Sequence, residues 1–405
     1  MTDLAARAAD LNAEAEALSE DMIDLRRRIH RRPELGLDNP ETQSTIMAAL
    51  EPLGFDAQTG SGITSIVADL HGSRPGPTLL LRADTDALPM TEDTDWEHRS
   101  EHADRAHVCG HDAHVSMLVG AAQMLVERRD EIAGTIRFIF QPGEEGSGGA
   151  AVMMAEDVLT AGLERPVDAA FAIHITPNLP VGYVSCRGGP LMAATDDFEV
   201  VVRGKGGHAS TPHLAIDPMP VACEMVTALQ TLVTRRVNAL DPAVITVGHL
   251  TGGSTKNVIP ETVRFEGTIR TLSAPTRDAV CMSFARVIEG VAAAHECEVE
   301  IEMERGYPVT ENDHDFVSFV EGVVGETFGD DSYFELPWPV MGAEDFSYIL
   351  QAVPGAMALL GVCPDDIPNS LDAPSCHSNL MRLNEAGLAK GAALHAAVAL
   401  SYCTD

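Results

Sequence analysis

Short apolar runs bounded by Gly and Pro alternate with a stretch of helical periodicity in the first half of the chain. The runs have the length and the β-branched content of buried strands, and the helical stretch repeats apolar residues every three or four positions. Strands that alternate with helices indicate a mostly parallel sheet covered by helices. The predicted strands are 63–70, 78–81, 135–140 and 169–175, and the predicted helix is 114–127.

The pattern changes at Gly188-Gly189-Pro190, where alternating strands and two further helices replace the buried runs. After Tyr307-Pro308 the first pattern resumes. We therefore predict an α/β domain with a mixed, mostly parallel sheet, interrupted by a smaller α+β domain. Residues 1–188 and 305–405 form the two parts of the first domain, and 189–304 form the insertion. The elements predicted after Gly188 are strands 198–203, 243–250, 263–271, 298–304 and 356–362, and helices 217–232, 276–295, 316–328 and 384–401.

Residues 1–30 are interpreted as one amphipathic helix, rich in Asp, Glu and Arg. The segment lacks the apolar centre of a signal peptide. No stretch of the chain approaches the length of a membrane-spanning helix. We therefore expect a cytoplasmic protein, and its eight scattered Cys are interpreted as reduced thiols.

The charge is strongly acidic. In 405 residues there are 61 Asp and Glu against 27 Lys and Arg, which gives a net charge of −34. This balance excludes nucleic acid and anionic membrane surfaces as partners, because both require clustered basic residues. High salt screens the mutual repulsion of such charges. A cytosol held at high salt is therefore favoured, and an ordinary acidic protein is the alternative.

Three segments carry candidate chemistry. Cys109-Gly110-His111 places a thiol and an imidazole two positions apart, with a flexible Gly between them. These are ligands that suit Zn²⁺ and its late first-row neighbours, although C-x-H alone is a weak signal. Asp84 and Asp86 follow a predicted strand directly, where a carboxylate can orient a ligating His or simply stabilise a turn.

The strongest signal is the adjacent pair Glu144-Glu145, which ends an apolar strand between Gly and Pro residues. Two like charges placed together cost free energy unless a cation offsets them. One Glu can bind a metal ion while the other takes a proton from a water that the metal has made acidic. Neither of two further His residues indicates a metal site on its own. They are His174, at the end of a buried strand, and His377, in a loop before the last helix.

These residues lie within motifs that resemble a known family. The chain resembles the metal-dependent amidohydrolases of the hippurate hydrolase and auxin-conjugate hydrolase type, within the aminoacylase and carboxypeptidase superfamily. The resemblance covers nearly the whole chain, from the R-I-H-R-R-P-E segment (28–34) to the final helix. The six motifs are R-A-D-T-D-A-L-P (82–89), C-G-H-D-A-H (109–114), F-Q-P-G-E-E-G (140–146), G-G-H-A-S (206–210), N-V-I-P (257–260) and M-G-A-E-D-F (341–346).

The resemblance implies hydrolysis of N-acyl amino acids with N-acetyl, N-benzoyl or indoleacetyl groups. It also implies two divalent metal ions per subunit (Zn, Mn, Co or Ni) and an inserted lid domain that forms homodimers or higher homo-oligomers. Glu144 would be the general base, Asp86 would orient a ligand, and His208 would stabilise the oxyanion. Asn257 and Arg270 would bind the substrate carboxylate. The implied metal ligands are Cys109, His111, Glu145, His174 and His377.

The sequence departs from the family pattern at a few positions. The family often has Ala in place of Gly143, a difference expected to matter little. Related dinuclear members have His in place of Asp84, so this subgroup would rely on Cys109 instead. The family often reads H-x-P at His377, where this chain continues Ser-Asn-Leu-Met. Cys376 is then either a bystander ligand or a buried thiol, and we favour the bystander interpretation.

Three alternatives remain open. Cys109 paired with a His would make a thiol hydrolase, although that would leave the Glu pair unexplained. A non-catalytic metal-binding or scaffold protein would be expected to lack the base, whereas Glu144 is present. An aminopeptidase, dipeptidase or carboxypeptidase on the same scaffold is the nearest competitor.

Overall fold

The computed structural model describes residues 2–404, with side chains from residue 7 onward. The α-helices are α1 (Thr2–Ala17), α2 (Ser19–Arg31), α3 (Pro40–Leu50), α4 (His111–Val126), α5 (Gly149–Ala155), α6 (Pro218–Arg236), α7 (Ala274–Ala294), α8 (His314–Phe328), α9 (Ser347–Leu350) and α10 (Gly387–Tyr402).

The strands of the described chain cover most of the predicted segments and add several short ones. They are β1 (Gln58–Thr59), β2 (Ile66–His71), β3 (Arg74–Asp84), β4 (Ala133–Gln141), β5 (Ala169–Thr176), β6 (Val184–Cys186), β7 (Gly189–Met192), β8 (Ala194–Arg203), β9 (Gly207–His208), β10 (Ala243–Gly252), β11 (Val258–Ile259), β12 (Thr262–Thr271), β13 (Glu298–Arg305), β14 (Thr310–Asn312), β15 (Tyr333–Glu335) and β16 (Gly355–Gly361).

By its internal contacts the chain divides into two compact units. The first contains the residues up to Leu191, then Glu311–Trp338, and the residues from Tyr348 onward. The second contains Met192–Thr310 and Pro339–Ser347. Within residues 2–404, no helix combines the length and the apolar character needed to cross a membrane.

An eight-stranded mixed sheet lies at the centre of the first unit, in the order β1-β2-β4-β3-β5-β16-β6-β15. Strands β4 and β5 flank β3 as parallel neighbours, and β16 runs parallel to β5. The carboxyl ends of these four strands therefore meet at one edge. Leu79, Leu80 and Leu81 of β3 are fully buried, as expected for a strand covered on both faces. The predicted α/β fold with a mostly parallel sheet is confirmed.

Helices α4 and α10 pack against each other and against the strands of this sheet. Nearly every residue of both helices is buried, so neither has the polar face of a surface helix. Many of the residues in α10 are Ala or Gly, which allow close approach of its neighbours. The rigid packing of α4 matters for function, because its first residue is His111.

The single helix predicted over 1–30 is wrong: the chain forms α1 and α2, which meet at Leu18. Leu18 has ψ near 0°, outside the helical range. The two helices have different partners, since α1 packs on α10 and α8 whereas α2 packs mainly on α4. A straight helix could not follow both surfaces, and the periodicity of apolar residues does not reveal this bend.

The second unit is built on a four-stranded antiparallel sheet in the order β10-β12-β8-β13. The helices α6 and α7 pack together and on this sheet. A separate apolar core lies between them, with Phe265 and Phe284 fully buried. A two-stranded ribbon of β9 and β11 is attached to this unit, with His208 opposite Val258. The strands and helices predicted for this part of the sequence are confirmed.

Candidate metal centre

The carboxyl ends of β3, β4 and β5 carry most of the predicted site residues of the first unit. Asp84 ends β3, Glu144 and Glu145 follow β4, and His174 lies near the end of β5. Parallel β3 and β4 are in register so that Asp84 is opposite Gln141. This edge of the sheet is where open α/β folds place their sites.

The five predicted ligands lie together. Three groups of potential ligand atoms each fit within 4.8 Å: Cys109 with His111 and His174, Cys109 with Glu145 and His377, and His111 with Glu144 and Glu145. The sulfur of Cys109 is 3.4 Å from Nε2 of His174. The carboxylate of Glu145 is 3.3 Å from Nε2 of His377 and 3.9 Å from Nε2 of His111. One cluster therefore joins thiol, imidazole and carboxylate donors.

Unsatisfied buried atoms in this cluster fit a metal ion. Both ring nitrogens of His111 and one carboxylate oxygen of Glu145 are buried and have no hydrogen-bond partner among residues 2–404. Buried polar atoms without partners are rare because each costs free energy. A divalent cation would satisfy these atoms, and a mixture of sulfur, nitrogen and oxygen donors suits Zn²⁺, Mn²⁺, Co²⁺ or Ni²⁺.

The electrostatics of the cluster also favour a cation. Burial lowers the pKa of His111, but the carboxylates of Asp84, Asp86 and Glu145 outweigh it and raise that pKa to about 10. Without metal, the ring therefore takes up a proton to balance the surrounding negative charge. A metal ion can supply that positive charge instead, which releases the proton.

The position of His111 depends on Gly110. Gly110 has φ of +93°, a conformation that favours Gly, and it directly precedes the first residue of α4. A Cβ atom on Gly110 would lie 2.5 Å from the side chain of Ile175. Any other residue here would be strained and would require the side chain of Ile175 to move. The Gly that the sequence suggested as a flexible link is thus also required by packing.

Asp86 holds the Glu pair by its backbone. Its two carboxylate oxygens accept hydrogen bonds from the amides of Glu144 and Glu145, at 2.9 and 3.0 Å. One of these oxygens is also 3.5 Å from Nδ1 of His111. A single buried carboxylate therefore fixes the turn that carries both Glu side chains and lies beside a candidate ligand.

The sequence interpretation missed two residues that hold Asp84. Arg82 donates to one oxygen of Asp84 at 2.5 Å, and His114 lies 2.6 Å from the other. The amide of Ile175 donates to Nε2 of His114, so the proton of that ring is on Nδ1 and points at Asp84. Burial raises the pKa of Asp84, but the charge of Arg82 and the neighbouring His rings outweigh it and hold that pKa well below its usual value. Both residues belong to motifs already recognised, R-A-D and H-D-A-H, but their partners are distant in sequence.

Cys109 is held as a thiol in the absence of metal. A hydrogen bond with Cys376, burial and the nearby Glu145 all raise the pKa of Cys109 well above its usual value. A nucleophilic Cys needs the opposite shift. The imidazole of His174, whose Nε2 lies 3.4 Å from the sulfur, donates through Nδ1 to the carbonyl of Ile175 rather than to a carboxylate. This geometry does not favour the thiol-hydrolase alternative.

His377 occupies a strained backbone position. Its φ is +69°, and among the described residues only Asp157 and Glu296 are other non-glycine residues with positive φ. The amide of His377 donates to the carbonyl of Val108 at 2.8 Å, which fixes the loop beside the C-G-H segment. Strain of this kind persists only where the surrounding structure holds the residue in place. The sulfur of the neighbouring Cys376 lies 3.7 Å from the carbonyl oxygen of Cys109.

Gly143, where the family often has Ala, has a backbone conformation that favours Gly in this chain. Gly143 has φ of +77°, and an added Cβ atom would lie 2.4 Å from the side chain of Leu37. Gly143 directly precedes Glu144, so a substitution there would disturb the turn that carries the Glu pair. The sequence gives no sign of Leu37, which is more than a hundred positions away.

The three remaining predicted residues lie in the second unit. His208 and Asn257 are neighbours on the ribbon, where the amide of Ala209 donates to the carbonyl of Asn257 at 3.1 Å. Arg270 lies on β12, opposite Thr195. Arg270 lies eight residues after Thr262, the first residue of β12, and eight residues of an extended strand span about 26 Å. Within this unit, Asn257 is therefore close to His208 but not to Arg270.

Comparison with known proteins gives consistent matches. The model of peptidase family M20/M25/M40 matches residues 80–401. The IAA-amino acid hydrolase ILR1-like 2 of Arabidopsis thaliana is 39% identical over 388 residues, which cover 95% of this chain and 85% of that protein. The N-acetyl-L-cysteine deacetylase of Bacillus subtilis is 38% identical over 350 residues, with coverages of 86% and 82%.

A solved structure agrees with these matches. A dinuclear metal-binding peptidase of the M20 family from Bacillus subtilis has a TM-score of 0.81 and 31% identity, covering 96% of this chain and 99% of that one. The resemblance inferred from the six motifs is confirmed, because the family match spans most of the chain. This chain belongs to peptidase family M20/M25/M40.

Proposed function

We propose that the protein hydrolyses the amide bond of N-acyl amino acids, releasing a carboxylic acid and a free amino acid. The observation that carries this proposal is the Glu144–Glu145 turn, held by Asp86 beside buried ligand atoms that lack hydrogen-bond partners among residues 2–404. Relatives at 38–39% identity are named as an auxin-conjugate hydrolase and an N-acetyl-amino-acid deacetylase, which supports an N-acyl substrate.

Two divalent metal ions would be held by the clustered donors. Cys109, Glu145 and His377 form one group of ligand atoms, and Cys109, His111 and His174 form another that shares the sulfur. When bound, such ions polarise a carbonyl group and make a water molecule acidic near neutral pH. The donor set is compatible with Zn²⁺, Mn²⁺, Co²⁺ or Ni²⁺.

The side chains of the protein would perform the proton transfers. Glu144 is largely buried and its amide is fixed by Asp86, so its carboxylate is positioned as a general base. It would take a proton from the attacking water and return it to the leaving nitrogen. His208 would donate a hydrogen bond to the oxyanion, and Asn257 and Arg270 would bind the substrate carboxylate. Because these two residues lie far apart within one chain, they would have to come from two different subunits to bind the same carboxylate.

A substrate screen tests this proposal. N-acetyl, N-benzoyl and indoleacetyl amino acids should be hydrolysed when Zn²⁺, Mn²⁺, Co²⁺ or Ni²⁺ is added to chelator-treated protein. Dipeptides and longer peptides should react more slowly. Faster cleavage of the peptides would instead favour an aminopeptidase, dipeptidase or carboxypeptidase on this scaffold, which the named relatives make less favoured.

The Glu144→Gln variant isolates the base. Gln keeps the size of the side chain but cannot accept a proton, so we expect metal binding to persist and turnover to fall by at least about a hundredfold. Metal content and kcat would be measured on the same preparation. Turnover near that of the wild type would reject Glu144 as the base.

We also propose that the protein works in a cytosol of high salt. We further propose that it forms homodimers through its second unit. Strand β10 is an edge strand with the partly exposed apolar residues Val244 and Leu250. An unprotected edge of this kind can pair with a second copy. Sedimentation velocity of the wild type and of a Val244→Lys variant would test this, since a charge on the edge should shift the protein toward monomer.

A further inference from the structure

The ribbon of β9 and β11 holds His208 and Asn257 side by side. Strand β9 pairs His208 with Val258 of β11, and the amide of Ala209 donates to the carbonyl of Asn257 at 3.1 Å. Both side chains can either donate or accept hydrogen bonds. Which atoms they present to a substrate therefore depends on their neighbours.

The ring of His208 has a defined tautomer. The backbone amide of Ser210 lies 3.1 Å from Nδ1 of His208, and an amide can only donate. Nδ1 must therefore be an acceptor without a proton, which places the ring proton on Nε2. The hydroxyl of Ser210 is 2.7 Å from the same nitrogen, so it must donate as well. The amide of Thr211 donates to the carbonyl of His208 at 2.9 Å and closes this turn.

The side-chain amide group of Asn257 is oriented in a similar way. The hydroxyl of Thr255 donates to Oδ1 of Asn257 at 3.3 Å. The amide of Val258 lies 3.4 Å from the carbonyl of Thr255, which forms a turn around Asn257. This bond turns Oδ1 toward Thr255 and fixes which end of the side-chain amide is the NH₂ donor.

We propose that Ser210 and Thr255 are positioning residues that fix His208 and Asn257 as N–H donors. The ribbon then presents two N–H donors to the oxygen atoms of a substrate, while the acceptor atoms Nδ1 of His208 and Oδ1 of Asn257 are turned toward Ser210 and Thr255. This inference rests on the proposed function, because it assigns the ribbon to a substrate with an oxyanion and a carboxylate. Ser and Thr also occur in turns for purely local reasons, and the following experiments separate that role from positioning.

The first test is NMR of the chelator-treated protein labelled with ¹⁵N in its His residues. The His208 signals would be identified by their loss in a His208→Gln variant. We expect Nδ1 to be the unprotonated nitrogen and Nε2 to carry the proton. In Ser210→Ala the Nδ1 resonance should move, because one of its two donors is lost, and Ser210→Thr should restore it. A proton on Nδ1 in the wild type, or an unchanged resonance in Ser210→Ala, would overturn the proposal.

The second test is steady-state kinetics with the preferred N-acyl amino acid. We expect Ser210→Ala to lower kcat by about three- to tenfold with KM nearly unchanged, since the oxyanion forms only in the transition state. Thr255→Val, which keeps the shape of Thr, should raise KM by a similar factor, and Thr255→Ser should reverse the effect. Ser254→Ala, in the same exposed loop, is the matched control and should match the wild type.

The two tests fail in different ways. If the wild type hydrolyses no N-acyl amino acid, the proposed function is wrong, but the NMR result on the tautomer is unaffected. If the wild type is active and both variants keep wild-type kcat and KM, Ser210 and Thr255 only stabilise their turns, and the positioning role is rejected.

Discussion

Asp86 shows at the scale of one residue how adjacent side chains acquire different tasks. Its carboxylate accepts hydrogen bonds from two successive amides, those of Glu144 and Glu145. The backbone between them is thereby fixed, and both Glu carboxylates reach to within about 4 Å of Nε2 of His111. Glu145 lies 3.3 Å from His377, among the candidate ligands, and Glu144 is the residue that we propose as the general base.

We predict that Asp86→Asn impairs the site without unfolding the protein. Asn has one acceptor oxygen, and its NH₂ group would face the second backbone amide, donor against donor. Metal affinity or kcat should fall by about ten- to a hundredfold, as is usual for residues that support metal ligands. Titration calorimetry and kinetics would measure both. Asp95→Asn, an exposed carboxylate, is the control, and equal effects of the two substitutions would contradict the prediction.

We predict a pH dependence of stability for the metal-free protein. The pKa of His111 is raised to about 10 in the folded state, from an ordinary value of 6.5. A raised pKa adds stability that is fully present below pH 6.5 and is lost as the pH rises toward 10. This contribution of His111 to the free energy of unfolding is at most several kcal/mol.

The comparison with His111→Gln isolates this effect, because Gln does not titrate. Denaturant unfolding of chelator-treated protein should show a wild-type advantage that is largest near pH 6 and shrinks toward pH 10. A difference that stays constant over this range, or that grows with pH, would contradict the assignment.

At the scale of elements, the turns after β4 and before α4 determine where the chemistry lies. Both turns contain a Gly with positive φ, Gly143 and Gly110, directly before a candidate site residue. Each is packed closely, the first against Leu37 and the second against Ile175. A side chain at either position therefore meets both an unfavourable backbone conformation and a close neighbour.

We predict that Gly143→Ala lowers the free energy of unfolding by about 1–3 kcal/mol, the cost of a non-glycine residue in the left-handed region. Denaturant titration would measure it. Gly322→Ala is the matched control within the same unit, because Gly322 lies in α8 and an added Cβ atom meets nothing within 4 Å. Ala in that helix should raise stability by up to about 1 kcal/mol. Equal denaturant midpoints for Gly143→Ala and Gly322→Ala would show that the turn tolerates a side chain.

At the scale of the whole molecule, the net charge of −34 is the dominant feature. The two apolar cores contain uncharged side chains, so most of this charge lies at the surface. Several buried acids are paired, as in the contacts of Arg26 with Asp112 and of Arg277 with Asp196. The unpaired surface acids repel one another, and this repulsion disfavours the compact state.

We predict that KCl stabilises the protein by screening this repulsion. The Debye length falls from about 10 Å at 0.1 M to about 3 Å at 1 M salt. The unfolding temperature should therefore rise steeply below about 0.5 M and then level off. A linear rise that continues to several molar would indicate preferential exclusion of salt instead. Full stability in dilute buffer would reject the adaptation to high salt.

Local patterns were sufficient for much of the fold. Apolar runs such as 135–140 and 169–175 form buried parallel strands because a strand covered on both faces needs apolar residues throughout. The bend at Leu18 was missed because it depends on which helices α1 and α2 contact, and these partners come from distant parts of the chain. The fold class was predictable, whereas the path of the N-terminal segment was not.

The sequence by itself determined the chemistry that this protein has available: the Glu pair, the C-G-H segment, the motifs and the family that they indicate. These are properties of short segments, and short segments keep their order and composition in any fold. Only the tertiary structure decided which groups meet. It placed Arg82 and His114 on Asp84 and put Leu37 against Gly143. Distances between side chains depend on sheet register and on turn conformation, and neither can be read from a linear pattern.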